Sequence, residues 1–413
     1  MVFNLLVVVI FLFILISAAL AADDLPSEKI INSENISEYE NYLDETLIDL
    51  IKKNYFTLEI IPTESFPVHP EYAAATEKNR GKTKLGTLPG EINGYIAGRP
   101  FPETPSTDDQ LAGDKIAWNM RYAFVGDGGR IAPFYWQYRN MRTDKIEREL
   151  SFEANSLRFK HRTVTSPIPD LPNNPSAIFN ALYLRALAPP DIRNTQLLIH
   201  RLEDDTSSER GWMYIGTQRR VRRIPTGQNT DSFLGSDIMI EDFMGYNGRI
   251  MDMQWTYLGT KKVLMPFYRH NELEFEKQES DGFNFIEYEG KGGCFPRVKW
   301  QFRTAYVLEV SPRWSQHPLS KRVYYVDAET FMPAYGRLYD RSKKLWKLAI
   351  VSYSHPDHHL PINKDSYVPI FDGVTMIDLQ ANHCTTLQAR SEASSKKLTG
   401  LDFSVQTLRR KGR

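Results

Sequence analysis

The sequence has no excess of charge of either sign, because its 413 residues include 51 Lys and Arg against 51 Asp and Glu. A nucleic-acid-binding domain normally displays a strongly basic surface, so this balance argues against nucleic acid as a partner. Beyond the first 22 residues, no stretch is long and apolar enough to cross a bilayer as a helix. Cysteine is also scarce, since the chain has only Cys294 and Cys384, and neither lies near the start, which argues against a lipoprotein anchor there.

The sequence also lacks the usual frames of catalytic sites. Gly235-Ser236-Asp237 is not a G-x-S-x-G nucleophile elbow, and Gly290–Gly293 is flexible but does not match a P-loop. No spacing among the many Asp and Glu residues selects a carboxylate pair. His355-Pro356-Asp357-His358-His359 has metal-ligand side chains, but its proline and the lack of helical H-x-x-x-H spacing favour a polar loop. The sequence therefore predicts no enzyme, no metal and no cofactor.

The N-terminus reads as an export signal. Residues 2–20 are apolar except for Asn4 and Ser17, and Ala19-Leu20-Ala21 precedes polar sequence. This pattern predicts a signal peptide over residues 1–21 and export of the mature chain, residues 22–413, which we expect to form a single domain. No Lys or Arg precedes the apolar run, so an uncleaved anchor is the alternative.

Alternating apolar residues predict a large sheet. Phe134, Trp136 and Tyr138 share one face of a predicted strand, and the period turns to two from Ala117 onward. Aromatic residues make up 12% of the chain, which suits such a sheet. A turn is expected at 340–343, between strands at 335–339 and 345–352.

Other segments break this period. Residues 41–54 have the apolar stripe of an amphipathic helix, and 176–187 also show helical spacing. The Pro- and Gly-rich segment 62–111 should lie on the surface of the sheet, with Phe101 filling a gap. From about Ser391 the chain is basic and polar, and its end is expected to be loosely ordered.

The stretch 211–248 combines a predicted hairpin with a charge cluster. Its second strand carries Arg219, Arg220, Arg222 and Arg223 on both faces, and Asp237, Glu241 and Asp242 follow. In one interpretation these carboxylates pair with the arginines and hold the hairpin to a covering loop. In the other, one face of arginines binds an anionic head group at the mouth of a cavity. The two interpretations are compatible if one face of the strand pairs with the carboxylates and the other binds the head group.

The best candidate for a cavity-lining strand follows this stretch. Met251, Met253, Trp255 and Tyr257 alternate with polar residues, and methionine adapts to ligands of variable shape. An ordinary sheet core would give the same pattern. The candidate ligand-binding residues from the hairpin are Trp212 and Tyr214.

The two cysteines are candidates for a disulfide. Pairing of Cys294 with Cys384 is common for an exported chain in an oxidising compartment. Closing a loop of this length would stabilise the fold by about 4–5 kcal/mol on the chain-entropy account. Two buried free thiols are the alternative.

The order of these central motifs resembles that of a known family. Trp212-x-Tyr214, the arginine run, Phe233-x-Gly235-Ser236-Asp237 and Glu241-Asp242 are similar to the central motif of lipoprotein-sorting proteins related to LolA and LolB. More narrowly, they resemble the bacterial domain of unknown function 1329. That narrower resemblance runs from about Ile31 to the C-terminus and adds the segments 33–35, 49–53, 97–102, 322–325, 339–340 and 408–410.

The resemblance implies a fold and a role. The fold is an incompletely closed antiparallel β-barrel, or half-barrel, with a few helices over an apolar cavity. The implied role is binding and carrying a lipid or similar hydrophobic molecule in the periplasm, with a peripheral position at the outer membrane as an option. One alternative is a structural or adaptor subunit of an RND-type exporter, in contact with the inner-membrane transporter or an outer-membrane protein, since such families are often encoded beside these transporters. A second is an unrecognised hydrolase, which needs a polar cavity with a pair of groups of shifted pKa.

Overall fold

The computed structural model describes residues 30–225, 228–277, 282–394 and 397–412, so the predicted signal segment lies outside the described residues. The helices are α1 (Glu45–Lys52), α2 (Pro70–Asn79), α3 (Ala112–Arg121) and α4 (Val405–Lys411). The strands are β1 (Ile30–Ile31), β2 (Leu58–Ile60), β3 (Lys84–Leu85), β4 (Ile92–Asn93), β5 (Gly128–Asn140), β6 (Lys145–Arg158), β7 (Ile178–Ala188), β8 (Gln196–Leu202), β9 (Arg210–Ile215), β10 (Arg220–Ile224), β11 (Met253–Met265), β12 (Phe267–Tyr268), β13 (Tyr288–Glu289), β14 (Phe295–Pro296), β15 (Lys299–Pro312), β16 (Leu319–Asp327), β17 (Pro333–Asp340), β18 (Leu345–Ser354), β19 (Ile370–Asp378) and β20 (His383–Glu392). No helix among these residues combines the length and the apolar character that crossing a membrane requires.

Sixteen strands form one sheet. Its order is β1-β2-β15-β16-β17-β18-β19-β20-β5-β6-β7-β8-β9-β10, with β11 beside β15 and β12 beside β18. Neighbours are antiparallel except for the short β2–β15 and β12–β18 pairs. Within the described residues β10 and β11 do not pair with each other, so the sheet curves without closing. The predicted antiparallel half-barrel with a few helices is confirmed.

The sheet is buried on two faces. We call inner the face that holds Trp136, Leu150 and Leu387, which neighbour one another across β6, β5 and β20. The outer face holds alternate residues such as Tyr325 and Cys384. Because both faces are covered over much of the sheet, many strands are apolar on both sides.

The predicted helix at 176–187 is wrong, because this segment is strand β7. Leu184 faces the inner core, whereas Ala181 and Tyr183 face an outer cluster. A strand buried on both faces loses its apolar–polar alternation, and its apolar residues then also fit a helical period.

The chain preceding the sheet holds two helices that the sequence reading missed. Residues 112–121 form α3, so the expected start of two-residue periodicity at Ala117 is wrong, and the long strands begin at Gly128. Helix α3 packs on β11, where a Cβ on Gly113 would lie 2.3 Å from the Trp255 carbonyl oxygen. Helix α2 lies inside the predicted surface segment. Phe101 of that segment is buried, and Asn119 hydrogen-bonds its backbone N–H and carbonyl.

Two helices cover the outer face. The predicted N-terminal helix is present but shorter, since α1 begins after Asp44, whose carboxylate accepts from Thr46 N at 2.8 Å. Asp44 also accepts from the Tyr325 hydroxyl at 2.9 Å, which places α1 against β16. At the other end, α4 packs on β8 and β9 with Leu408 fully buried. The expectation of a loosely ordered tail is therefore wrong for residues 405–411.

The cysteine prediction is confirmed, because Cys294 and Cys384 form a disulfide with their Cα atoms 6.0 Å apart. The bond holds the segment before β14 to β20 on the outer face. The predicted hairpin and the turn at 340–343 are also present.

Candidate functional site

A cavity of about 330 Å³ lies on the inner face of the sheet. It extends across β16–β20 and β5–β8, so both halves of the sheet contribute to it. Most lining side chains are apolar, and the largest are Phe134, Trp136, Phe179, Phe243, Tyr246, Trp255, Tyr324, Phe331, Tyr335, Tyr353 and Phe371. The volume is near the lower end of the range of about 300–1,000 Å³ that is usual for ligand pockets.

The crossing segment, residues 228–252, closes part of this cavity. It runs from edge strand β10 to edge strand β11 over the inner face and contains four short 3-10 turns. Phe233, Met239 and Ile240 pack into the inner core, while Ile238 and Phe243 also line the cavity. Helix α3 closes a neighbouring part through Ala117, Met120 and Arg121.

A buried charge cluster fastens the crossing segment to β16. Arg322 is 0% exposed, and its Nη2 donates to Glu241 and, at 3.2 Å, to Asp242. His317 Nδ1 accepts from Leu319 N at 3.0 Å, so its Nε2 donates to Glu241 at 2.8 Å. Burial opposes ionisation of Glu241, but Arg322 and His317 outweigh it and lower the pKa of Glu241. For Asp242 burial dominates and raises the pKa.

Asp237 provides a second attachment. Its carboxylate accepts from His383 Nδ1 at 2.8 Å and from Thr385 Oγ1 at 2.7 Å, and its carbonyl accepts from Lys347 Nζ at 2.6 Å. The hydrogen bond to Asp237 is the main reason why the pKa of His383 is raised. The crossing segment is thus held to β16, β18 and β20 by polar contacts.

The cavity changes from apolar to polar along the strands. Ala154 of β6 neighbours Leu184 of β7, and two residues further on Ser156 neighbours Leu182. At the end of β6 comes a polar row across three strands, in which Arg158 neighbours Asn180 and Asn180 neighbours Arg201.

The guanidinium groups of three arginines lie at this polar end: Arg158, Arg121 and Arg201. Arg121 pairs with Asp205 at 3.1 Å, and Arg201 pairs with Glu209. Both arginines also donate to the Gly248 carbonyl of the crossing segment. Burial, together with the Arg121 charge, lowers the pKa of Arg201 to about 10, so this arginine is still protonated at neutral pH.

Of the four residues predicted to line the cavity from the predicted strand at 251–257, one does so. Trp255 lines it and donates through Nε1 to the Ile250 carbonyl at 3.0 Å. Met251, Met253 and Tyr257 do not line it. Met253 is instead in the packed core, because α3 covers this edge of the sheet. The Tyr257 ring packs near the Tyr306 ring.

The two hairpin residues proposed as cavity residues face away from the cavity. Trp212 and Tyr214 belong to the outer cluster that α4 covers, and the Tyr214 hydroxyl donates to the Gly412 carbonyl at 2.7 Å. Their alternation correctly predicts a strand. It cannot tell which of two buried faces borders the cavity.

The predicted pairing within the central charge cluster is wrong. Among the described residues, Arg219, Arg220, Arg222 and Arg223 form no ion pair with a carboxylate, and all four are exposed at the β10 edge. The acidic residues bind partners from distant strands, as described above for Glu241, Asp242 and Asp237. None of the four arginines lines the cavity, although Asp242 does.

The histidine loop contributes to two groups with metal-ligand side chains. Glu64, His355 and His358 form one, but Arg269 already donates to both Glu64 oxygens, at 2.8 and 2.9 Å. The other consists of the buried His270, His359 and Asp372, where Asp372 accepts from His270 Nδ1 at 2.7 Å and from the Tyr268 hydroxyl at 2.9 Å. Burial opposes ionisation of Asp372, but the two histidines outweigh it and lower its pKa. In both groups the carboxylate is therefore already engaged by hydrogen bonds from neighbouring side chains.

Sequence reasoning missed the polar row. The change along β6 from Phe152 and Ala154 to Ser156 and Arg158, all on one face, was the available signal. Arg201 carried no such signal, because its position depends on the pairing of β7 with β8.

Comparisons with known proteins agree on the architecture. The model of the family described as protein of unknown function (DUF1329) matches residues 30–409. An uncharacterised Pseudomonas aeruginosa protein, PA3922, is 23% identical over 407 residues, which span 92% of this chain and 81% of that protein. A crystal structure of a Vibrio parahaemolyticus domain assigned to outer membrane lipoprotein sorting is 18% identical, covers 73% of this chain and 100% of its own, and has a TM-score of 0.50. A DUF1329 protein from Desulfovibrio piger is 15% identical, with 72% and 98% covered and a TM-score of 0.49. Because the family model spans nearly the whole chain, this protein belongs to the DUF1329 family, as the order of its central motifs predicts.

Proposed function

We propose that this protein binds a lipid or another hydrophobic molecule on the inner face of its sheet and carries it within the bacterial envelope. The observation that supports this is the cavity of about 330 Å³ with its largely apolar lining. Apolar side chains that line a cavity are not fully covered by the fold, so part of the hydrophobic free energy of burying them is not realised on folding. A ligand that fills the cavity gains that free energy on binding.

The cavity volume limits the ligand. Pockets of about 300–1,000 Å³ take drug-sized molecules, and this cavity is near the lower limit. We therefore propose a ligand with one hydrocarbon chain or a small ring system, rather than a lipid with several chains.

Binding is a better proposal than catalysis. Of the three arginines at the polar end, Arg121 pairs with Asp205 and Arg201 pairs with Glu209, whereas Arg158 has no carboxylate partner among the described residues. An arginine stays protonated in proteins and is a poor acid or base. The hydrolase alternative would need a pair of ionisable groups of shifted pKa with access to the cavity. Asp242 lines the cavity and burial raises its pKa, but its carboxylate is already bound by Arg322 in the cluster that holds the crossing segment.

A fluorescent apolar probe such as N-phenyl-1-naphthylamine tests the proposal by titration. Ala349 lines the cavity from β18, and Ala349→Trp should reduce probe binding because the indole takes up part of the space. Overpacking typically costs about 1–3 kcal/mol, so the melting temperature should fall only modestly. The matched control is Gln254→Trp, which adds the same side chain at an exposed position of β11.

Three results are decisive. Loss of probe binding in Ala349→Trp alone supports the cavity as the site. Equal binding by wild type and both variants would place the probe elsewhere, and wild-type protein that takes up no apolar probe would contradict the proposal.

The proposed location requires export. If residues 1–21 are a signal peptide, protein recovered from the periplasm starts at Ala22. Edman sequencing of that protein checks this, and an intact Met1 in the membrane fraction would contradict it.

A second candidate is an adaptor subunit of an RND-type exporter. The observation in its favour is edge strand β10, where Arg220, Arg222 and Arg223 are exposed and have no described carboxylate partner. An acidic partner segment fits such an edge by charge. Replacing the three arginines with glutamate should abolish cross-linking to the transporter and leave probe binding intact. Cross-linking that is unchanged would exclude this edge as the contact.

A further inference from the structure

Arg158 stands out at the polar end of the cavity. It lines the cavity and is only 5% exposed. Its guanidinium donates through Nη2 to the Ala123 carbonyl at 3.1 Å and lies 5.5 Å from the Phe179 ring. Among the described residues, no carboxylate lies within ion-pair distance of it.

A buried charge without a counter-charge is costly. Proteins therefore normally pair it or neutralise it, and an arginine cannot be neutralised at any ordinary pH. One backbone carbonyl and one aromatic ring compensate only part of this cost. The remaining compensation comes from what fills the cavity beside Arg158, which is water when no ligand is bound.

The neighbouring charges do not supply it. Asp205 neutralises Arg121 and Glu209 neutralises Arg201. Asp127, whose carbonyl accepts from Arg158 N, has its carboxylate bound by the backbone N–H groups of Thr163, Val164 and Thr165. Asn180 lies between Arg158 and Arg201 in the cross-strand row. The row therefore presents one uncompensated positive charge beside an amide.

We propose that Arg158, with Asn180, binds the anionic head group of a single-chain amphiphile whose tail lies along the apolar part of the cavity. This inference rests on the proposed function, because it presumes that the cavity holds a ligand. A guanidinium fork matches the two oxygens of a carboxylate or phosphate. From Arg158 the tail runs along β6 past the Ser156–Leu182 pair and reaches the Ala154–Leu184 pair about 13 Å away. Beyond that pair, Trp136 and Leu387 line the cavity.

The first experiment uses wild-type protein and matched probes. cis-Parinaric acid and its methyl ester have the same fluorescent chain, but only the acid carries a charge. The acid should bind at least about tenfold more tightly at pH 8, since a hydrogen bond between charged groups is worth that much or more. Competition by dodecyl phosphate and dodecanoate then shows whether phosphate or carboxylate is preferred.

The second experiment removes the charge. Arg158→Met should bring the acid-to-ester ratio to about one while the ester binds as before. The control is Arg148→Met, on the same strand but exposed and paired with Asp191, which should keep the wild-type ratio. Without ligand, Arg158→Met should melt no lower than wild type, because it removes an uncompensated buried charge.

The results separate this inference from the function on which it rests. Wild-type protein that binds acid and ester equally, or an unchanged ratio in Arg158→Met, would refute the head-group site and leave carriage standing. Failure to bind either probe would refute carriage itself. If Arg158→Met does not fold, the wild-type acid-to-ester ratio decides, and Arg158→Lys, which keeps the charge, should keep a preference for the acid.

Discussion

The buried charge cluster between the crossing segment and β16 gives the sharpest stability prediction. Arg322 is fully buried and binds Glu241 and Asp242, and its Nε and Nη1 have no other described partner. Arg322→Ala would leave two carboxylates in the core without their counter-charge. Breaking such a buried pair costs about 3–5 kcal/mol.

This cost can be converted into a melting temperature. An unfolding entropy of about 2.1 cal/mol/K per residue gives about 0.8 kcal/mol/K for residues 30–409. A loss of 3–5 kcal/mol should therefore lower the melting temperature by about 4–6 °C, measured by calorimetry. The control is Lys53→Ala, which breaks the exposed ion pair with Asp49 and should cost under ~1 kcal/mol.

A double-mutant cycle ties the effect to the pair. Once Glu241→Ala is present, Arg322→Ala should destabilise less than it does alone, with a coupling of about 0.5–3 kcal/mol. A melting temperature within 1 °C of wild type for Arg322→Ala, or no coupling in the cycle, would refute the buried ion-pair reasoning.

Three further outcomes are expected. Replacing Cys294 and Cys384 with serine should cost about 4–5 kcal/mol, measured by urea unfolding, and a cost below 1 kcal/mol would contradict the loop-closure account. The raised pKa of His383 means that its bond to Asp237 stabilises the fold below the unfolded pKa and is lost as pH rises through the folded pKa. The melting temperature difference between wild type and His383→Gln should therefore shrink from pH 6 to pH 9, and a constant difference would count against this. Met253→Glu should give insoluble protein because it buries an unpaired charge in the packed core, whereas a soluble, folded variant would show that this side chain reaches water.

The fold could be predicted where one face of a strand differs from the other. Strands β5 and β6 alternate clearly, since the residues facing the inner core are apolar and many of those between them are polar or only partly buried. Strand β7 is buried on both sides and was mistaken for a helix. Helix α2 was missed because its buried face is formed by Tyr72, Thr76 and Asn79, which do not make an apolar stripe.

The site could be predicted far less well, because its contacts join distant parts of the chain. The nearness of Glu241 and Asp242 to the arginine run in sequence suggested that they pair. The structure pairs them with Arg322, about 80 residues away, and no local pattern carries such information. Likewise, Arg158 and Arg201 enter one row only through the register of the strands. The half-barrel itself came from the resemblance of motifs, not from periodicity.

The order of strands in the sheet has a consequence for how the protein folds. Strands β5–β10 follow one another in the chain and in space, and so do β15–β20, so twelve of the sixteen strands form two local meanders. Among the described strands, the meanders pair with each other only where β20 lies beside β5, which brings together residues roughly 250 positions apart, such as Trp136 and Leu387. Both of these side chains line the cavity, and therefore neither meander can form it alone. We expect the meanders to form early and the seam between them last, so in stopped-flow refolding the capacity to bind a probe should appear in the slowest phase. A probe signal that rises with the earliest secondary structure would show instead that the seam nucleates folding.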